Sequence, residues 1–513
     1  MPGRWRRRSA QAARQRGTEA PAGVNRRCWI AACGATLALL GAGAQGAALQ
    51  ACRLRGVEFP ARCGVVQVPL DPAAASGLKI DLHFAVLPAL SRSPKADPVF
   101  FFAGGPGQSA IDLAGPLSRL LARWSNRRDI VLIDQRGTGR SAPLRCDGDA
   151  AATQPLRESL DTQTALQALA RCRQTLMKLP YGDLRRFTTT LAANDVDAVR
   201  RALGAERINL IAASYGTRLA LEVLRQHPLS VRRMLLDGVA PPDMVLPQSY
   251  GEDGQAALDA LFDACAGDAA CSARHPRLRQ TWQRLQQSLP RELALPQPLT
   301  GRSETLTLTP DGLAALVRGP LYSPVQASAL PLAIEQAAVG QWQTLAGLAL
   351  SGPGTARSAA VAQGMHFSVV CAEDLPLMPA VMPAALPATS SGDGGLAALY
   401  RRACADWPRG DVAPGFYRVP VSPVPVLLLA GGIDPVTPPR HAQRVAHALG
   451  PLARTVVVPQ GGHGLLSVPC LRELGFRFID ADEPGAALAL DTGCAQTLPR
   501  PPFFTPPAAE VAR

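Results

Sequence analysis

Apolar positions along this chain fall into two formats. Short runs rich in β-branched and aromatic residues, closed by Gly or Pro, occur at "GVVQVPLD" (64–71), "KIDLHFAVLPA" (79–89), "DPVFFFAGG" (97–105) and "RDIVLIDQRG" (128–137). They read as strands. Further on, "TTTLAANDVDAVRRAL" (188–203) spaces its apolar residues as a helix does, before another strand run, "INLIAAS" (208–214). A helical segment follows, then "VRRMLLDGV" (231–239). Strand and helix alternating over this length predict an α/β fold: a mainly parallel central sheet with helices on both faces.

The pattern changes near Pro241. Residues 243–415 are mostly helical in spacing, as in "GQAALDALFDACAG", "HPRLRQTWQRLQQSL" and "SALPLAIEQAAVGQW", with Pro/Gly-rich joints. Strand runs return at "VPVLLLAGGID" (424–434) and "RTVVVPQGGHG" (454–464). A helical cap, 243–415, is therefore expected to interrupt a core made of 45–242 and 416–498. The Pro-rich tail, 499–513, is expected to run extended. No internal repeat is visible.

Composition narrows the class. The 513 residues are 47% hydrophobic and 18% charged, which suits a large, loop-rich globular protein. The net charge of +13 is concentrated at the start, where eight arginines against Glu19 put +7 into the first 44 residues. The remaining +6 is spread without a basic run, and no stretch interleaves aromatics with Lys/Arg, so nucleic-acid binding is disfavoured. The arginine-rich start leads into "CWIAACGATLALLGAGAQGAA", and Ala42-Gly43-Ala44 offers an A-x-A cleavage site. Residues 1–44 thus read as a signal peptide, and the protein as exported, periplasmic or secreted. "NRRCWI" resembles a twin-arginine signal, and "LQAC" resembles a lipoprotein box only loosely. The apolar run is marginal for a span, so stable membrane insertion after signal removal is not expected. Nothing in the sequence sets an oligomeric state.

Cysteine usage agrees with export. Cys28 and Cys33 lie inside the signal. Ten remain, in local couples: Cys52, Cys63, Cys146, Cys172, Cys265, Cys271, Cys371, Cys404, Cys470 and Cys494. Disulfides paired in chain order are the expectation, although sequence leaves connectivity open and buried free thiols are the alternative. A metal site is disfavoured, because no C-x-x-C occurs and no histidines stand beside the cysteines at ligand spacing.

Chemistry enters at "RINLIAASYGTRLALEVL" (207–224), where Ser214 follows a strand run and precedes a helical pattern. Two roles fit it: the cap of a helix, or a nucleophile on a tight strand-to-helix turn of the G-x-S-x-G kind, with Ala212 in place of the first glycine. Asp434 ends "VLLLAGGID" in a loop after a strand, where it is either an orienting acid or the cap of the next helix. Of seven histidines, His463 alone stands in a glycine turn directly after a buried strand. The order Ser214, Asp434, His463 suits acyl transfer: His463 takes the Ser214 proton and Asp434 fixes its tautomer. Upstream, "FFFAGGPGQSA" exposes backbone amides around Gly104, Gly105 and Gly107. Gly105, with Gly104 in reserve, joins the Tyr215 amide as the expected oxyanion hole. No Lys-Ser/Thr follows, so a phosphate loop is disfavoured.

"GGPG", "DQRGTGRS" (134–141), "AASYGT", "GGIDPVTPP" and "GGHG" together resemble the proline iminopeptidase and tripeptidyl aminopeptidase branch of the α/β-hydrolases. So do "CAGDAACS" and the couple "VVCAED" with "CADWP". The resemblance runs from about Cys52 to Cys494 and implies an exported serine exopeptidase acting on peptides with a free N-terminus. Such an enzyme releases tripeptides or a single residue such as proline, and needs no metal or organic cofactor. Ala103, where many iminopeptidases carry histidine, tilts the resemblance to the tripeptidyl branch. By the same resemblance, Glu373, with Asp374 in reserve, is expected to hold the substrate ammonium; the alternative is a structural acid pair at an element end. A carboxylesterase with the same triad is the competing function. A non-catalytic binding protein is the third reading, although no triad member is missing.

Overall fold

The computed structural model describes residues 48–74, 76–146, 156–297, 300–350, 360–378 and 393–505. The signal-peptide assignment, 1–44, lies outside them, as does the end of the tail.

Eleven strands are described: β1 (Gln50–Cys52), β2 (Ala61–Pro69), β3 (Lys79–Leu87), β4 (Val99–Phe102), β5 (Ile130–Ile133), β6 (Ile208–Ala213), β7 (Val231–Asp237), β8 (Arg291–Pro296), β9 (Ser303–Leu308), β10 (Val426–Gly431) and β11 (Ala453–Val458). Nine of them make one sheet in the order β1-β2-β3-β5-β4-β6-β7-β10-β11. From β5 to β11 every pairing is parallel, and β1, β2 and β3 attach antiparallel at one side. Parallel strands covered on both faces need apolar residues at successive positions, which is why β4, β5 and β10 read as unbroken runs. Their alternate residues enter two separate cores. Phe100, Phe102, Val131 and Leu428 pack on one face, and Val99, Phe101, Leu132 and Leu429 on the other.

Between β7 and β10 the chain leaves the sheet. Helices such as Leu246–Gly267, Leu278–Gln287, Pro310–Leu321 and Leu330–Ala338 enclose a third core around Phe262, Trp282, Leu313 and Ile334. The antiparallel pair β8–β9 belongs to this insert. Two features depart from a single helical block at 243–415. Leu156 and Leu160, from the segment after β5, also join the insert's core. Conversely, helix Gln363–Glu373 packs Met365, Phe367, Val369 and Val370 into the sheet-side core, where Tyr400 and Cys404 of helix Asp393–Ala405 meet them. A strongly apolar helix buries itself wherever the larger apolar surface lies. That strip is structurally part of the sheet layer.

Five disulfides close in chain order: Cys52–Cys63, Cys146–Cys172, Cys265–Cys271, Cys371–Cys404 and Cys470–Cys494. The described start of the tail is irregular. The Phe504 amide donates to the Ser328 carbonyl at 3.0 Å, and Phe503 lies against the insert's core. No helix among the described residues is long and apolar enough to cross a membrane.

Candidate active site

Ser214 follows β6 directly and takes φ 55°, ψ −128°. Among the described residues Ala142 is the other non-glycine residue with positive φ, a region that costs an L-residue energy unless its surroundings impose it. The surroundings do so here. The Ser214 amide donates to the Asp237 carbonyl at the end of β7 (2.9 Å), and the Ser214 carbonyl accepts from the Thr217 amide (2.9 Å) and hydroxyl (2.6 Å). Helix Tyr215–Gln226 begins at once, and its N-cap, Ser214, makes no side-chain cap hydrogen bond. The hydroxyl therefore does not serve as the cap of the helix that it precedes. Gly216 explains the tight spacing: a Cβ there would stand 2.4 Å from the Phe102 carbonyl oxygen. At position 212 a methyl group fits, and Ala212 is fully buried in the sheet-side core. Only one of the two motif positions requires glycine in this molecule.

Asp434 and His463 arrive from the loops after β10 and β11. His463 Nδ1 lies 2.8 Å from Asp434 Oδ2. The carboxylate is otherwise saturated: Oδ1 accepts the amides of Val436 and Thr437 (2.9 Å each), and Oδ2 accepts the Thr437 hydroxyl (2.7 Å). Burial raises the Asp434 pKa, but the charge and hydrogen bond of His463 outweigh it and hold the group below its ordinary value. At His463, burial favours the neutral ring, while the Asp434 carboxylate, then Asp237, push its pKa above the ordinary 6.5. An ionised acid beneath a protonatable imidazole is the arrangement that accepts a proton and passes it on.

Asp237 was not legible as a site residue. Buried at the end of β7, it accepts the amides of Leu465 and Leu466 at 2.9 Å each and so anchors the turn that carries His463. The His463 amide itself donates to the Tyr322 carbonyl (2.9 Å), and the two rings meet edge to face at 5.0 Å. The only earlier signal was an acid ending a buried strand, which Asp434 shares.

Gly104 packs so closely on Ser214 that a Cβ there would lie 3.0 Å from Ser214 Cβ. Its neighbour Gly105 lines the same cavity as Ser214, Tyr215 and His463, a space of about 670 Å³ roofed by the inserted helices. Two devices hold the glycine loop. Asp134, from "DQRG", accepts the Ser109 hydroxyl at 2.6 Å and the Ile111 amide at 3.2 Å. His366, from helix Gln363–Glu373, hydrogen-bonds the Pro106 backbone through its ring. Its Nε2 lies 2.7 Å from the Tyr400 hydroxyl, and burial depresses its pKa to about 4. A neutral ring can donate to a carbonyl and accept from a phenol at the same time. His366 also went unnoticed, because nothing in "GMHFSVV" separates it from a core histidine.

Glu373 and Asp374 require a correction. Neither lines the cavity. Glu373 is 1% exposed, and its oxygens accept the Thr189 amide (2.6 Å) and hydroxyl (2.8 Å). Burial, against the opposing Arg218 charge, pushes its pKa up to about 7. Asp374 is fully buried, bonded to Arg218 at 2.6 Å and to the Leu246 amide at 3.2 Å. With these oxygens engaged inside the fold and neither residue among those lining the cavity, the pair fits the structural alternative. It reaches the site only indirectly, since the Thr189 hydroxyl also touches the Tyr215 hydroxyl at 2.7 Å. Among the described lining residues the carboxylate is Glu158, from the segment after β5.

The sequence profile of the alpha/beta hydrolase fold matches residues 97–468. The tripeptidyl aminopeptidase of Streptomyces lividans is 32% identical over 193 residues, 36% of this chain and 36% of its own. Serine protease Hip1 of Mycobacterium bovis is 31% identical over 235 residues, 42% of this chain and 44% of its own. The proline iminopeptidase of Arabidopsis thaliana is 25% identical over 178 residues, 33% of this chain and 34% of its own. The matched stretch spans less than half the length of each relative.

Proposed function

The chain belongs to the alpha/beta hydrolase fold family, and on that premise we propose that it is an exported serine aminopeptidase acting on short peptides. The observation that carries this reading is Ser214, held at positive φ with no capping bond, in one roofed cavity with the Asp434-bound His463. In the proposed reaction Ser214 Oγ attacks the scissile carbonyl carbon while His463 takes its proton. The amides of Tyr215 and Gly105 receive the oxyanion. As the tetrahedral intermediate collapses, His463 returns the proton to the leaving amine, and a water molecule then releases the acyl group by the same steps.

Exopeptidase specificity is proposed on two grounds. Relatives include peptidases named for acting at N-termini, and residues of the inserted helices line the cavity beside Ser214. Glu158 is the proposed partner of the substrate ammonium, in place of Glu373. Export rests on the disulfides, which persist in oxidising compartments, and on the arginine-rich apolar leader.

Hydrolysis of a chromogenic panel by the mature protein and by Ser214→Ala tests the proposal. The panel holds a proline anilide, a free-amine tripeptide anilide, its N-acetylated twin and an acyl ester. Cleavage confined to free-amine peptides, and reduced on the order of 10⁶-fold in the variant, is expected. Turnover of the ester and the acetylated peptide at equal rates would refute the aminopeptidase reading and leave an esterase.

A further inference from the structure

Arg318 sits on helix Pro310–Leu321 and lines the active-site cavity. Among the described residues the fully buried arginines have N–H groups engaged, by acids or, at Arg233, by the backbone carbonyls of Phe478 and Ile479. Arg136 forks onto Asp195 at 2.6 and 2.7 Å, Arg218 binds Asp374, and Arg128 lies between Asp97 and Asp480. Arg318 has no such partner. Among the described residues it makes no hydrogen bond or ion pair, and its guanidinium lies 5.6 Å from the centroid of the Tyr250 ring. Cation–π contact compensates part of the lost hydration but leaves the N–H fork unused, and that fork is shaped to bind a carboxylate through two parallel bonds.

Its position indicates which end of a substrate it meets. Four residues further on, Tyr322 holds the His463 turn through its carbonyl and packs its ring against the imidazole. Arg318 is therefore on the His463 side of the nucleophile. Protonation of the departing amine by His463 requires the leaving fragment to lie on that same side. Tyr250 and Tyr322 line this part of the cavity, and their hydroxyls make no hydrogen bond among the described residues, so both are available as further donors.

We propose that Arg318, flanked by Tyr250 and Tyr322, is a specificity residue that receives a carboxylate on the leaving fragment of the peptide. The inference rests on the aminopeptidase reading and deepens it: favoured substrates carry negative charge just beyond the scissile bond. Two sources share that chemistry, the free C-terminus of a fragment one residue long and an acidic side chain on the first residue after the cut.

Four peptides with the acyl part that the anilide panel selects separate these sources. They end in leucine as free acid, leucine amide, aspartate amide and asparagine amide, with the neutral anilide run alongside. The readout is the ratio of kcat/KM within each pair, which cancels differences in active fraction between enzymes. The wild type is expected to favour the charged member of at least one pair by about 10- to 100-fold, and that pair identifies the source. The ratio should fall to near one in Arg318→Gln and stay intermediate in Arg318→Lys, which keeps the charge but not the fork. Equal rates within both pairs for the wild type, or a preference that survives Arg318→Gln, would overturn the assignment. Anilide cleavage without charge preference removes only the Arg318 subsite. Cleavage of none of the peptides removes the aminopeptidase reading, and this inference with it.

Discussion

At His463 three influences compete: burial, which favours the neutral ring, and the charges of Asp434 and Asp237, which together favour the protonated one and prevail. A general base works only when neutral, so activity should rise with pH through a pKa above 6.5. In Asp237→Asn that acid limb of the kcat/KM profile should move to lower pH. An unmoved limb would mean that Asp237 acts only as a bracket for the Leu465 and Leu466 amides. Glu373 titrates with consequences for stability. Its native pKa of about 7 exceeds the ordinary 4.5, so between those values the folded chain holds a proton that the unfolded chain releases. Stability contributed by this group is present below pH 4.5 and declines as pH rises towards 7. Glu373→Gln should flatten that decline in a series of Tm measurements, whereas a parallel curve would show the group already ionised in the native state.

The strand-to-helix turn at Ser214 works as a unit because β6 lies between β4 and β7. Phe102 pairs with Ala212, and the chain after each of these strands converges on the same spot. Gly216→Ala forces a methyl group against the Phe102 and Ala103 carbonyls, 2.4 and 2.8 Å away. Overpacking of this kind costs roughly 1–3 kcal/mol, read as a lower denaturant midpoint with unchanged m-value. Because the displaced atoms border Gly104, activity should fall by more than the loss of folded protein explains. Ala212, by contrast, occupies ordinary strand conformation inside the core, which is why the sequence motif tolerates it.

Across the whole molecule, the insert and the sheet meet around the cavity, and disulfides hold its walls. Cys371–Cys404 ties the helix of His366 to the helix of Tyr400. Replacing both cysteines with alanine opens a loop of 33 residues and should lower stability by roughly 3–4 kcal/mol. It should also loosen the His366–Tyr400 bond that steadies the glycine loop, so kcat is expected to fall at temperatures where the variant remains folded. A variant as active and stable as the wild type would show that packing alone positions the two helices.

The alternation of apolar runs with helical spacing was enough to establish the α/β class, since period and burial are local properties of the chain. The pairing of cysteines in chain order was an expectation that sequence left open, and the structure decides it in favour of the local couples. The order of Ser214, Asp434 and His463 suggested a common site because each stands just after a strand, and strands of a parallel sheet deliver their ends to one edge. What escaped were supporting residues to which no motif assigned a role and which act through partners distant in sequence. Asp237, Asp134, His366 and Arg318 look like ordinary core or surface positions until the fold sets them against the His463 turn, the glycine loop or the cavity. Glu373 was misplaced for the same reason. An acid after an apolar run can face substrate or be walled in, and only tertiary packing against Thr189 and Arg218 decides which.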